Sequence, residues 1–115
     1  MNLQAEFIDS IAILAPQGRV DTFSASMIQN QFEFLLEDGS TKLVADLSAV
    51  SFIDNAGITS LVRVMKQARA NGGDLKVVWP IDPQARFLLD LTRIERVLDM
   101  TNSLDEARLR YMLAS

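Results

Sequence analysis

The feature that most constrains this chain is a repeated change in the period of its apolar residues. Short apolar runs at Ile11–Ala15, Leu43–Leu47 and Leu75–Trp79 alternate with longer segments whose apolar residues return every three or four positions. The short runs are strand-length and the long ones have helical spacing. Ala25, Ile28, Phe32, Leu35 and Leu36 form one stripe within Phe23 to Asp38, with polar Gln29, Asn30 and Glu33 between them. Ile58, Leu61, Val62, Met65 and Ala68 form a second. Asp82-Pro83 opens a third helical stretch carrying Phe87, Leu88 and Leu91, with proline suited to the first helical position. Ser103-Leu-Asp-Glu106 reads as a capping box for a last helix through about Met112. Strands alternating with helices predict an α/β fold: a mixed, mainly parallel sheet of four to five strands, covered by about four helices and joined by right-handed crossovers.

Turn residues punctuate this order. Phe7 and Ile8 suit an earlier strand, returning through Asp9-Ser10 to pair as a hairpin. Gly18-Arg-Val-Asp21 then ends the extended region, and Thr22 or Ser24 can cap the first helix. Gly39 lies just past that helix, and Asn71-Gly-Gly-Asp74 stops the second. Asp46 is expected near a strand end, and Val97-Leu98 as a short last strand. With no repeat, low-complexity segment or linker, residues 1–115 are expected to form one domain. A chain of this size buries roughly two thirds of its unfolded surface.

Composition removes whole classes of chemistry. The 115 residues include no cysteine and no histidine. Disulfides, thiolate nucleophiles, histidine bases and nearly all zinc and haem sites are thereby excluded, and no cofactor or metal is expected. The 11 basic and 15 acidic residues are interspersed, for a net charge of −4. Without a basic block, phosphate neutralisation is weak, which argues against nucleic acid. No apolar run approaches the ~20 residues of a membrane span, so no membrane insertion is expected. The start, MNLQAEFIDS, carries acids and no basic n-region, so a cytoplasmic location is expected. Asp21 and Asp54 both follow strand-like segments and could meet as a carboxylate pair. Anions are equally favoured at helix starts, by about 0.3–1 kcal/mol, and that role suits both positions. No nucleophile elbow, phosphate loop or dinucleotide fingerprint is present, so catalysis is not expected.

The turn Phe52-Ile-Asp-Asn-Ala-Gly57 joins an apolar pair to the second helix. Asn55 is expected as its N-cap, and Gly57 as the point where a neighbour or a partner's backbone comes close. Phe52 and Ile58 are expected in the core, with Ile53 open to either core or partner. Trp79 is expected at the core edge. Arg63, Lys66 and Arg69 lie off the apolar stripe, as a solvated face or an attraction for an acidic partner.

Taken in order, these segments resemble the STAS domain of bacterial anti-sigma factor antagonists over nearly the whole chain. Gly18-Arg-Val-Asp21 is similar to the family's turn after its strand, and Leu43 to Ile58 to its strand-loop-helix signature. Gly72-Gly-Asp-Leu75, Leu89 to Leu98 and Ser103 to Ala107 are similar to its later parts. The resemblance implies a regulatory binding domain rather than an enzyme. It would dock on an anti-sigma factor that is a serine kinase of the GHKL type, and so release a sigma factor. It also implies a phosphorylated serine or threonine directly after the motif's aspartate. Here that position is Asn55, which has no hydroxyl. The docking surface implied comprises Asp21, Ile53, Asp54, Asn55, Ala56, Gly57, Ile58 and Thr59, and the hydroxyls of Thr59 and Ser60 are where regulation could have moved. Two other STAS roles are compatible: an accessory subunit of a lipid-transport ABC system, and a nucleotide or small-molecule sensor. Homo-oligomerisation stays open.

Overall fold

The computed structural model describes residues 3–114, so the expected bounds at Met1 and Ser115 lie outside the described residues. The elements run β1 (Glu6–Ile8), β2 (Ile11–Leu14), β3 (Gly18–Val20), α1 (Thr22–Glu37), β4 (Lys42–Asp46), β5 (Val50–Ile53), α2 (Asn55–Ala70), β6 (Asp74–Val78), α3 (Pro83–Leu91), a 3-10 turn (Ile94–Arg96), β7 (Asp99–Thr101) and α4 (Leu104–Leu113). A five-stranded sheet has the order β1-β2-β4-β6-β7. Among the described residues its one antiparallel pair is β1 with β2, the expected hairpin. Asp9 and Ser10 turn it with φ of 52° and 68°, the two-residue geometry whose twist matches that of the strands. The fold class is the α/β arrangement expected, with a mixed, mainly parallel sheet and four helices.

Two expectations fail for a shared reason. Gly18–Val20 does not end the extended region: it is β3, and it pairs in parallel with β5, which the sequence reading leaves as loop. The two strands have three and four residues and make a small sheet of their own. Neither is long enough to show a period, and their pairing spans about thirty residues of chain. At the other end, Val97-Leu98 follows the 3-10 turn, and the strand begins at Asp99. A charged first residue hides this strand from an apolar reading. The third helix also turns differently, burying Ala85 and Leu89 while Phe87 and Leu91 face out.

Alternation along the strands gives the sheet two apolar faces. Ala12, Leu14, Leu43, Ala45, Leu75 and Val77 meet the stripes of α1 and α2, with Leu89 of α3 completing that layer. Ile11, Ile13, Val44 and Val78 meet Ala107 and Tyr111 of α4. The second layer is sealed at the edge where the parallel strands begin. Leu43 N–H donates to the Tyr111 hydroxyl at 3.0 Å, and that hydroxyl lies 2.6 Å from the Leu43 carbonyl and 2.8 Å from that of Asp74. Lys76 is buried beneath, 2.8 Å from Asp99 and 4.4 Å from the Tyr111 ring centre. Arg110 adds ion pairs to Asp99 and Glu106.

Burial, with the Asp74 and Asp99 carboxylates nearby, pushes the Tyr111 hydroxyl up from its ordinary range. An upward shift in the folded state means full stabilisation below the unfolded value, near pH 10, and loss as pH rises past it. We expect urea denaturation of Tyr111→Phe to show a loss of about 0.5–1.5 kcal/mol at neutral pH, because the contacts of the hydroxyl with the Leu43 and Asp74 main chain are removed. Above about pH 10 the wild type should lose stability faster than the variant.

Candidate functional site

Sites in open parallel sheets gather beyond the carboxyl ends of the strands. There β3 and β5 run side by side with Val20 opposite Ile53, and Asp54 N–H donates to the Val20 carbonyl at 3.2 Å. This register places the starts of α1 and α2 together. The two junctions are near copies. Asp21 has φ −99° and ψ −171°, Asp54 has φ −101° and ψ −175°, and each is the N-cap of the helix that follows. Asp21 Oδ1 accepts from Ser24 N–H at 3.1 Å, and Ser24 Oγ accepts in return from Asp21 N–H at 2.9 Å. Asp54 Oδ1 accepts from Gly57 N–H at 3.1 Å. The capping oxygens are thus engaged locally, which meets the backbone donors that an open helix start leaves free.

The capping expectations are corrected accordingly. Neither Thr22 nor Ser24 is a cap, although Ser24 closes the capping box from inside. Asn55 is not the cap of α2 but its first helical residue, and it is exposed. The bond from Asp54 N–H to Val20 holds Asp54 in extended backbone, so helical geometry begins one residue later. The repeated pattern of an apolar residue, an aspartate and a helix start, Val20-Asp21 and Ile53-Asp54, was the signal for paired strands.

The apolar neighbours are also rearranged. Ile53, left open between core and partner, is buried, whereas Phe52 and Ile58, expected in the core, are only half-buried. Gly57 accounts for this. A Cβ there would lie 2.6 Å from Ile53 Cγ1 and 3.0 Å from Val20 Cγ1, so only glycine lets the first turn of α2 rest on both. The helix is thereby rotated, burying Gly57, Ser60, Leu61, Val64, Met65 and Ala68 and turning Ile58 and Val62 to the rim. The Arg19 guanidinium lies 4.2 Å from the Phe52 ring centre. Of the two hydroxyls in the first turns of α2, Thr59 is exposed and Ser60 is buried. Ala56 is half-buried against the core. Trp79 is half-buried beyond β6, with the Arg86 guanidinium 4.8 Å from its ring centre.

The surface at this edge therefore combines Asp21, Thr22 and Phe23 on α1 with Asn55 and Thr59 on α2, all exposed. It offers paired helix starts whose caps are already filled, an uncharged amide, and apolar area. One oxygen of each carboxylate is committed to a backbone donor. The Ser24 N–H and hydroxyl hold Asp21 below the usual carboxylate range. A lowered pKa contributes stability above the unfolded value and loses it as pH falls, so an NMR titration should place the Asp21 midpoint below that of an aspartate in an unfolded peptide. The two residues of the turn are separable by mutation. Asp54→Ala should cost about 1 kcal/mol in chemical denaturation. Asn55→Ala, at a helical position, should stay within about 0.5 kcal/mol of wild type.

Residues 2–107 match the STAS domain family. Curated relatives include BtrV of Bordetella bronchiseptica, classed as an anti-sigma factor antagonist, at 25% identity over 99% of this chain and 97% of the relative. The anti-sigma-B factor antagonist of Bacillus subtilis is 26% identical over 73% of this chain and 75% of its own length. Among solved structures, an anti-sigma factor antagonist from Mycobacterium paratuberculosis superposes with a TM-score of 0.83 at 24% identity, covering 95% and 92% of the two chains. The Bacillus cell fate determinant SpoIIAA in its phosphorylated form superposes with a TM-score of 0.71 at 18% identity, covering 96% and 99%. With a family match spanning nearly all of its length, on the sheet order and paired helix starts described above, this chain belongs to the STAS domain family and is similar to anti-sigma factor antagonists.

Proposed function

We propose that this protein is an anti-sigma factor antagonist that works by docking alone, cytoplasmic and without chemistry of its own. Its partner would be an anti-sigma factor of the GHKL kinase type, engaged through Asp21, Asp54, Asn55, Ala56, Ile58 and Thr59, with Ile53 and Gly57 supporting the turn from beneath. The observation that carries the reading is Asn55: exposed, uncharged, without a hydroxyl, and standing first on α2 beside the start of α1. The solved relative SpoIIAA exists in unphosphorylated and phosphorylated forms. On this reading Asn55 occupies the position of the family's phospho-acceptor. A neutral hydrogen-bonding amide stands in for the unmodified hydroxyl, so the docking face is held permanently in its unphosphorylated character. A phosphate there would add about −1.5 to −2 charges and oppose docking by repulsion and desolvation. Engagement of both aspartates as caps supports a binding role over a catalytic dyad.

The test uses the purified chain with the GHKL-type anti-sigma factors encoded by its host. Wild type should bind one of them and take up no phosphate from ATP. Asn55→Ser should bind it comparably and become phosphorylated, and Asn55→Asp should bind at least about tenfold more weakly, a difference of about 1.4 kcal/mol. Failure of every such factor to bind would overturn the reading. Phosphate on Thr59 or Thr22 of the wild type would overturn permanence and show regulation relocated to a neighbouring hydroxyl.

A further inference from the structure

The outer side of α2 carries a feature that the turn alone does not explain. Ile58, Thr59, Val62, Arg63 and Lys66 line an open groove of about 290 Å³. Its floor is the apolar rim that the rotation over Gly57 turns outward, and its sides are cationic. From Asn55 to Ala70 this helix contains three basic residues and no acid, within a chain of net charge −4. Arg69 is paired with Asp74. Arg63 and Lys66 are exposed, and among the described residues neither forms an ion pair. The adjacent helix α1 has the opposite character, with Glu33 and Glu37 and no basic residue. Glu33 accepts from the Gln67 amide at 2.7 Å and forms no ion pair with Arg63 or Lys66.

The groove also continues the docking turn. Asn55, Thr59, Val62 and Lys66 recur at i, i+4, i+7 and i+11, which places them along one side of the helix. A partner seated on Asn55 and extending along α2 meets Ile58 and Val62 next, and then Arg63 and Lys66.

We propose that this groove receives an acidic amphipathic segment of the protein partner, an apolar side chain lying on Ile58 and Val62 with carboxylates beside Arg63 and Lys66. The inference rests on the docking role proposed above and names the chemistry of the partner's contacting segment. The charges act at the rim, so their main effect falls on association rate and salt dependence, while the apolar contact contributes to residence time. The two exposed cations can be reversed without disturbing the core.

The test has two arms. In the first, the anti-sigma factor bound by wild type is titrated with Arg63→Glu/Lys66→Glu. Binding should weaken at least about tenfold at about 50 mM salt, with the gap narrowing at about 500 mM. Arg63→Lys should bind as wild type does, and thermal melts should show the variants folded. Equal affinity of wild type and charge-reversed variant would overturn this inference and leave the proposed function standing. In the second arm, isotope-labelled protein is titrated with a designed peptide that carries leucines at helical spacing and glutamates between them. Amides of residues 58–66 should shift, and the same peptide with lysines for glutamates should shift none. Shifts with the acidic peptide but no anti-sigma factor bound would preserve this inference and remove the reading beneath it. Equal shifts from both peptides, none from either, or binding to phosphatidylglycerol vesicles in place of the peptide would overturn it.

Discussion

The parallel pairing of β3 with β5 is the constraint on which the working edge of this protein depends. Seven residues of strand set Val20 beside Ile53, and one main-chain bond from Asp54 to Val20 sets the level at which α2 begins. Everything presented at that edge follows from this register. A slip by one residue would turn Ile53 out of the core and Asp54 away from its helix, since side chains alternate along a strand. Gly57 completes the arrangement from the other side, because it alone admits the first turn of α2 against Val20 and Ile53.

The rest of the molecule holds that edge in place. One sheet face is covered by α1, α2 and α3, and the other by α4. The ionic and tyrosine seal sits where the parallel strands begin, at the end of the sheet away from the paired helix starts. Buried ion pairs are weak evidence for net stability, but they specify one arrangement, since a misplaced β7 would part buried Lys76 from Asp99. Separating the two ends lets the exposed edge vary in sequence without cost to the seal. Asn55, Thr59, Arg63 and Lys66 all lie on surface that the core does not constrain.

Much of the architecture was legible before any coordinates. The stripe Ala25, Ile28, Phe32 and Leu35 is buried as its spacing implied, and so are Leu61, Met65 and Ala68. The hairpin at Asp9-Ser10, Pro83 at the first position of α3 and the Ser103 cap follow from local chemistry, and local chemistry is carried by neighbouring residues. What escaped was non-local. The pairing of β3 with β5 joins segments about thirty residues apart, and the shift of Ile58 to the rim above buried Ile53 depends on a glycine that lets a helix roll over a strand. The expected caps fall late, Asn55 by one residue and Thr22 or Ser24 by one or three, and at α2 a bond from Asp54 to another strand fixes where the extended backbone ends.

By itself, then, the sequence determined the alternation of the longer strands with the four helices, the lack of thiol and imidazole chemistry, and an asparagine without a hydroxyl at the start of α2. These are properties of residue type and short-range spacing. Only the tertiary structure decided that Asp21 and Asp54 serve as twin caps, that Thr59 is exposed while Ser60 is buried, and that Ile58 and Val62 floor a basic groove. The last two outcomes depend on the rotation of one helix about its axis. That angle is set by close contact between Gly57, Val20 and Ile53, which no local pattern encodes.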